Sequence, residues 1–516
     1  MDPPFSQKKS EAEELPTARH LSLAAPNQEH DHGQVVDAES VSGGFEKLAK
    51  DGHTLLIPQP SADPQDPLNW SSFKKHLILL IISWSALLAD HGSATGAVTL
   101  IPQAEAWNMS PDTVNHSQVG NVFMLGAGGI FVVAGSAYFG RLPVLFWFLV
   151  MASATAAWCA AATNFESFTA ARILNGFFST VAQGGGLMFI KDMFFFHEQA
   201  RKINIWAGFI ILSPYLGPLF SAFIITTQKW NVAFWLFLAM CSLALILSVL
   251  FVPETYYSRN ALDAPSNGSR ILTLIGFHQR RVNLLKPNTF VDALLLPIKV
   301  IGKLPIVFIS FYYFLTFAWV VGINTTLSIF LTPLYNFGPK QIGFFYFTPI
   351  VAALLGEICG HYIHDFLASQ YIKKHHGHFE PEVRLRAAIL ATPFMITGIV
   401  LLGFALQYGY HYMITSLGWG LYVFGIMVTT VAVNAYGLDS YSEGSGEVAA
   451  WLNMARTTGG FIVSYFQVNW AHSMGVKNSF GVQAGIIARA SLIPIGLMIW
   501  GRALRERSGP LGFKTI

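Results

Sequence analysis

The sequence predicts an all-α, polytopic membrane protein of twelve transmembrane helices arranged as two six-helix halves. Three observations predict this. First, of 516 residues 53% are hydrophobic and only 12% charged, whereas soluble domains carry about 25% charged residues. Second, apolar stretches recur along the chain, each near the ~20 residues that a helix needs to cross a bilayer. Third, the longest interruption between them, residues 253–305, falls in the middle and divides the stretches evenly. A net charge of +3 is too small to point to a nucleic-acid partner. Cys159, Cys241 and Cys359 all lie in apolar segments, which argues against a disulfide framework.

Residues 1–70 are polar and proline-rich and read as a disordered cytoplasmic tail. The opening "MDPPFSQKKSEAEELPTARH" has no apolar core, so it is no cleavable signal peptide and the first span must act as the targeting signal. Spans are expected near 76–100, 117–139, 144–163, 168–190, 203–226 and 232–252, within an N-terminal half of 71–255. A charged cytoplasmic loop of 256–304 follows. The C-terminal half, 305–504, holds spans near 306–332, 342–364, 386–406, 413–437, 449–470 and 481–501, and 505–516 is a cytoplasmic tail. Helices suit such a series because they satisfy their own backbone hydrogen bonds in lipid.

Basic residues orient the chain. Of 32 Lys and Arg, only Lys229, Lys340 and Lys477 fall in one set of connections and Arg172, Arg456 and Arg489 in spans; all others lie on the side of the termini. The positive-inside rule puts both termini in the cytoplasm. The outer loop after span one carries "NMS" at Asn108 and "NHS" at Asn115, two N-glycan acceptor triplets. The triplet at Asn69 is expected to face the cytoplasm with that at Asn267, and the one at Asn324 lies within a span.

Polar residues inside spans are expensive and mark function or internal pairing. "LLADHGSATGAV" buries Asp90 and His91 halfway along span one, with Gly92 and Gly96 forming a small-residue surface. Span four bears Arg172, Asn175, Gly176, Ser179 and Gln183 along one helical face. Tyr312, Thr316 and Trp319 follow i, i+4, i+7 in span seven, ahead of Asn324. Span eight carries Glu357, His361 and His364, a spacing that is not HExxH; it reads as gating or structural, with no metal. Span eleven carries Asn453, Arg456, Thr457, Ser464 and Gln467, with Arg456 expected to pair near its cytoplasmic end with Glu443 or Glu447. No partner is evident for Arg489.

Local motifs then resemble one family. "FTAARILNGFFST", with Arg172 and Gly176, resembles the span-four signature of the major facilitator superfamily. "SPYLGPLFSA", with Gly217 and Pro218, is similar to the span-five signature of its proton-coupled antiporters. "PET" at 253–255, "DPLNWS" before span one and "LDSYSEGSGEVAAWLNMARTTGGFIVSYFQ" resemble fungal members, above all the drug:proton antiporter branch. "SAYFGRLPVLF" departs from the family loop: Ala137 replaces the acidic residue and Arg141 is the only base, whereas "GHYIHDFLASQYIKK" keeps Asp365, Lys373 and Lys374. The charged latch of this loop is therefore expected to be weakened in the first half.

The resemblance implies a major facilitator fold without cofactor, whose spans one, four, seven and ten line a central cavity. It implies that Asp90 and Arg172, the expected proton-coupling residues, approach one another; His91, a second candidate by its ordinary pKa, reads rather as a packing histidine. A substrate cavity would be lined by Asn175, Ser179, Gln183, Tyr312, Thr316, Trp319 and Asn324. Arg141, Gly217, Pro218, Glu357, His361, Asp365 and Arg456 would serve gating or structure. The function implied is secondary active transport by alternating access: proton-coupled efflux of a drug-like compound or secondary metabolite, or alternatively uptake of an organic cation, polyamine or nutrient. The expected partners are the small-molecule substrate, protons and the lipid bilayer, with a monomer in the plasma membrane, or alternatively the vacuolar membrane. No GxxxxGK[ST] loop for ATP-driven pumping, no enzymatic motif and no repeated channel filter occurs in the sequence.

Overall fold

Twelve helical rods, six before and six after the central connection, form the bundle in a computed structural model that describes residues 56–257, 269–277, 290–375 and 380–511. The expected disordered tail lies outside the described residues up to position 55, as does Asn267. Residues up to Gln59 separate as their own unit, and Pro60–Ile516 form one compact unit.

Span one is Ser72–Ala94 continued by Gly96–Trp107; spans two and three are Pro111–Phe139 and Arg141–Ala161. Span four is Phe165–Ser179 with Val181–Met193, span five Phe196–Ile225 and span six Asn231–Phe251. Span seven is Leu304–Tyr335, span eight Pro339–Phe345 with Phe347–Lys374, and span nine Leu385–Tyr408. Span ten is Tyr412–Ser440, span eleven Ser445–Met474, and span twelve Val476–Ala490 with Leu492–Ser508. Eleven of these rods are long and apolar enough to cross a membrane. Span eleven is the exception at 30 residues, because it spends its inward face on polar side chains. The rods overrun the expected limits because helices continue past the hydrocarbon, and "GHYIHDFLASQYIKK" is therefore helix, not loop, as far as Lys374.

Two boundaries are corrected. Residues 60–70, assigned to the tail by composition, fold into a built turn. The fully buried Asp66 caps the 3-10 turn Pro67–Asn69, accepting from Leu68 N and Ser61 N at 3.0 Å each, and Lys75 Nζ donates to Leu68 O at 2.9 Å. Among its described residues the central connection holds two further helices, Arg270–Ile275 and Phe290–Ile301.

The halves repeat one device at the face that carries the termini. Arg141 at the start of span three pairs with Asp192 at the end of span four, 3.2 Å away. Arg384, just before span nine, pairs with Asp439 at the end of span ten, 2.6 Å away. Glu254, beyond span six, accepts from the backbone N–H groups of Arg141 and Leu142 at 3.1 Å each; Glu382, before span nine, pairs with Arg505 of span twelve at 2.8 Å. The first-half latch expected to be weakened is thus built from other residues: Asp192 also accepts from Thr255 at 3.1 Å, and the Arg141 guanidinium lies 4.8 Å from the Tyr256 ring. Burial lifts the Tyr256 hydroxyl above the usual phenol range, opposed by Arg141.

Candidate functional site at the seam between the halves

An ion pair joins the halves midway along span one. Asp90 Oδ2 accepts from Arg456 Nη2 at 2.8 Å and from Gln183 Nε2 at 2.7 Å. Arg456 Nε donates to Asn453 Oδ1 at 2.8 Å, and its guanidinium lies 5.3 Å from the Phe317 ring centroid. Spans one, four and eleven therefore converge on one carboxylate, and span seven packs against the arginine that holds it. The Asp90 and Arg456 side chains are only 11% and 9% exposed. Desolvating two charges costs several kcal/mol per ion, offset only where good geometry and further hydrogen bonds satisfy both groups. Gln183, Asn453 and the Phe317 ring face supply those further contacts.

Two expected partnerships are corrected. Asp90 and Arg172 are not paired. Span one breaks at Thr95, which caps His91 O and leaves the later carbonyls of that turn without intrahelical partners. Arg172 Nη1 and Nη2 donate to two of them, Gly92 O at 2.5 Å and Ser93 O at 2.6 Å, placing a cation at a helix C-terminus. Arg456 does not anchor near Glu443 or Glu447. It stands eleven residues after Ser445, ~16 Å along the helix, which carries it to the level of Asp90. Lys191 reaches that end of span eleven instead, donating to Ser445 Oγ and to Ser442 O at 3.3 Å.

The other predicted cavity residues divide. Gln183 faces the seam. Asn175 turns into its own half, donating to Ala152 O and Thr155 Oγ1 at 3.1 Å each, and Ser179 is buried. In span seven the seam stripe lies one residue along from the expected Tyr312, Thr316 and Trp319. Thr316 Oγ1 bonds back to Tyr312 O at 2.9 Å, Tyr422 donates to Thr316 O at 2.7 Å, and Trp319 packs 6.3 Å from Trp470, all within the C-terminal half. Asn324 and Ser328 face the other half: Asn324 donates to Pro214 O at 3.1 Å and Ser328, four residues on, to Ala97 O at 2.8 Å, whereas Phe317 packs against Arg456 of its own half. Two equally regular stripes one residue apart cannot be told apart by periodicity.

The seam is closed above and below this pair. Toward the termini, Lys191 meets Ser445 and Asn204 meets His361, 3.2 Å apart. Toward the opposite face, His116 stacks on Tyr465 at 4.3 Å, and Asn469 donates to Asp112 at 3.3 Å. Asn115 is fully buried with Nδ2 against Ser464 O at 3.5 Å, so it is corrected from glycan acceptor to seam residue; Asn108 is exposed on a left-handed cap.

His91 stacks on Phe237 at 6.0 Å, away from Asp90's partners. Gly217 faces span one: a Cβ there would stand 2.5 Å from His91 O, and Pro218 follows inside the helix. Gly92 meets Phe237 whereas Gly96 meets Gln118 and Arg172, so the small-residue surface serves two neighbours, not one. Glu357 is half-buried, His361 pairs with Asp365 at 3.4 Å, and His364 receives Arg384 Nη1 at 2.6 Å. Arg489 is exposed on span twelve near its break at Ser491, and nothing in the structure explains it.

Comparison with known proteins agrees with this architecture. The family model of the Major Facilitator Superfamily matches residues 79–464. The efflux pump radE of Floropilus chiversii is 24% identical, over 86% of this chain and 83% of its own. The multidrug transporter TPO3 of Candida glabrata is 22% identical, over 95% of this chain and 78% of its own. The xylose transporter XylE from E. coli, in a partially occluded inward-open conformation, shares the fold at TM-score 0.57 and 18% identity, covering 82% of this chain and 97% of that one. The chain, a bundle of two six-helix halves, belongs to the major facilitator superfamily, a family of transporters and not of enzymes.

Proposed function

We propose that this transporter exchanges protons for a small organic molecule, and that Asp90 is the residue that couples the two. The observation that carries the reading is the Asp90–Arg456 pair, which ties one half to the other midway along span one with Gln183 as the third member. Protonation of Asp90 removes the negative charge that holds Arg456 across the seam, so proton binding and half separation draw on the same interaction. Arg456 keeps Asn453 and the Phe317 face within its own half when the pair opens. Alternating access then rocks one half against the other about this point.

Efflux of a drug-like compound or secondary metabolite is the direction and substrate class proposed. It is supported by two relatives, an efflux pump and a multidrug transporter. The distribution of basic residues supports cytoplasmic termini in a plasma-membrane monomer. The test is gradient-driven accumulation of lipophilic fluorescent cations in inside-out vesicles containing wild type or Asp90→Asn. Wild type should accumulate dye only with a proton gradient, and Asp90→Asn should not. Gradient-dependent accumulation by that variant would refute the role of Asp90.

A further inference from the structure

A second set of ionisable groups lies apart from Asp90 on one face of span eight. Glu357, His361 and Asp365 recur at i, i+4 and i+8, so each stands ~6 Å further along the helix than the last. Their exposure rises in that order. Glu357 Oε2 is sealed from solvent and has no hydrogen-bond partner among the described residues. The His361 side chain is 40% exposed and that of Asp365 57%. His361 Nε2 stands 3.4 Å from Asp365 Oδ2, and its Nδ1 stands 3.2 Å from Asn204 Nδ2. An amide NH₂ donating to Nδ1 leaves the ring proton on Nε2, directed at Asp365. Asn204 belongs to span five, in the opposite half.

We propose that Glu357, His361 and Asp365 form a second proton-binding ladder, opening from mid-membrane to the cytoplasmic face and gated by Asn204. The proposal rests on the proton-coupled reading above and deepens it. An isolated carboxylate at that depth is costly, and carboxylate–histidine series are how membrane proteins carry protons. With the cytoplasmic side closed, Asn204 occupies Nδ1 and the ladder is interrupted at its centre. When the halves part on that side, Asn204 withdraws with span five and Nδ1 is free to accept. The O–H bond of Glu357 then breaks as an N–H bond forms at Nδ1. The N–H bond at Nε2 breaks as Asp365 gains the proton, which passes to water.

The ionisable groups around the ladder come from several elements. Tyr313 of span seven is buried and donates to Thr430 Oγ1 of span ten at 3.2 Å. His364 shares span eight, and Arg384 binds both His364 and Asp439 of span ten. On span five Arg201 is exposed and Lys202 faces span one, 2.8 Å from His76.

The test uses full-length protein in lipid nanodiscs and follows protonated-carboxyl infrared absorption through a pH titration, with the proton as the probe. Glu357→Gln, a near-isosteric change, should remove one titrating carboxyl band that Asp90→Asn retains; Glu357→Asp should keep the band at a shifted frequency. Survival of the full set of bands in Glu357→Gln overturns the site. After a rapid pH jump, Asn204→Ala should relax that band at least tenfold faster than wild type, and adding His361→Gln should abolish the gain. Unchanged rates in Asn204→Ala overturn the gate. Because these readouts report protons bound at a named group and not transport, they stand apart from the vesicle assay on Asp90.

Discussion

Asp90 and Arg456 hold opposite charges where hydrocarbon would otherwise demand none. Removing one partner of such a buried pair leaves the other charge uncompensated, at a cost of about 3–5 kcal/mol. Arg456→Gln should therefore lower the unfolding temperature of purified protein more than the double variant Asp90→Asn/Arg456→Gln does; a double variant as unstable as the single one would show that the pair is not coupled. Arg172→Lys tests a different role. One ammonium cannot reproduce the planar fork that spans the Gly92 and Ser93 carbonyls. It should reduce thermal stability while the pH dependence of transport stays as in wild type. Glycosylation separates Asn108 from Asn115: glycosidase treatment should shift the mobility of wild type and Asn115→Gln, and not of Asn108→Gln. At this scale the sequence names the costly residues and not their partners. Asp90 stands out because a carboxylate in a span is rare, whereas Arg456 is matched to it across 366 positions only by the packing of two distant helices.

Spans one, five and seven show how much of an element is readable in advance. Their existence follows from length and hydropathy, and their seam-facing register does not. Span seven carries polar and aromatic groups on two adjacent stripes, and which one meets the other half depends on helix rotation. Span one reads as a continuous rod, yet it breaks at Thr95, and that break creates the carbonyls that capture Arg172. Close approach of spans one and five rests on Gly217. Gly217→Ala drives a methyl group against the His91 carbonyl, so an overpacking cost of about 1–3 kcal/mol is expected as a lower melting temperature. An unchanged melting temperature would mean that the helices part there freely.

The bundle as a whole is closed at three depths: at Lys191 and Asn204, at Asp90, and at Asp112 and His116. Alternating access requires the outer two contacts to open in turn. Cysteine pairs at 204/361 and at 112/469 should each cross-link on oxidation, and each alone should stop transport until reduced. Transport that survives either cross-link would exclude rocking of the halves about this seam. The division into halves was legible from the central charged loop. The repeated Arg141–Asp192 and Arg384–Asp439 devices were not, because their members sit on different spans and align only after folding. In the proposed mechanism Asp90 is the group on which transport turns. The most direct measurement is proton-gradient-driven dye accumulation in inside-out vesicles, comparing wild type with an Asp90→Asn variant of equal abundance and equal monodispersity. Loss of gradient dependence in the variant is the predicted result; accumulation with the wild-type pH profile would contradict it.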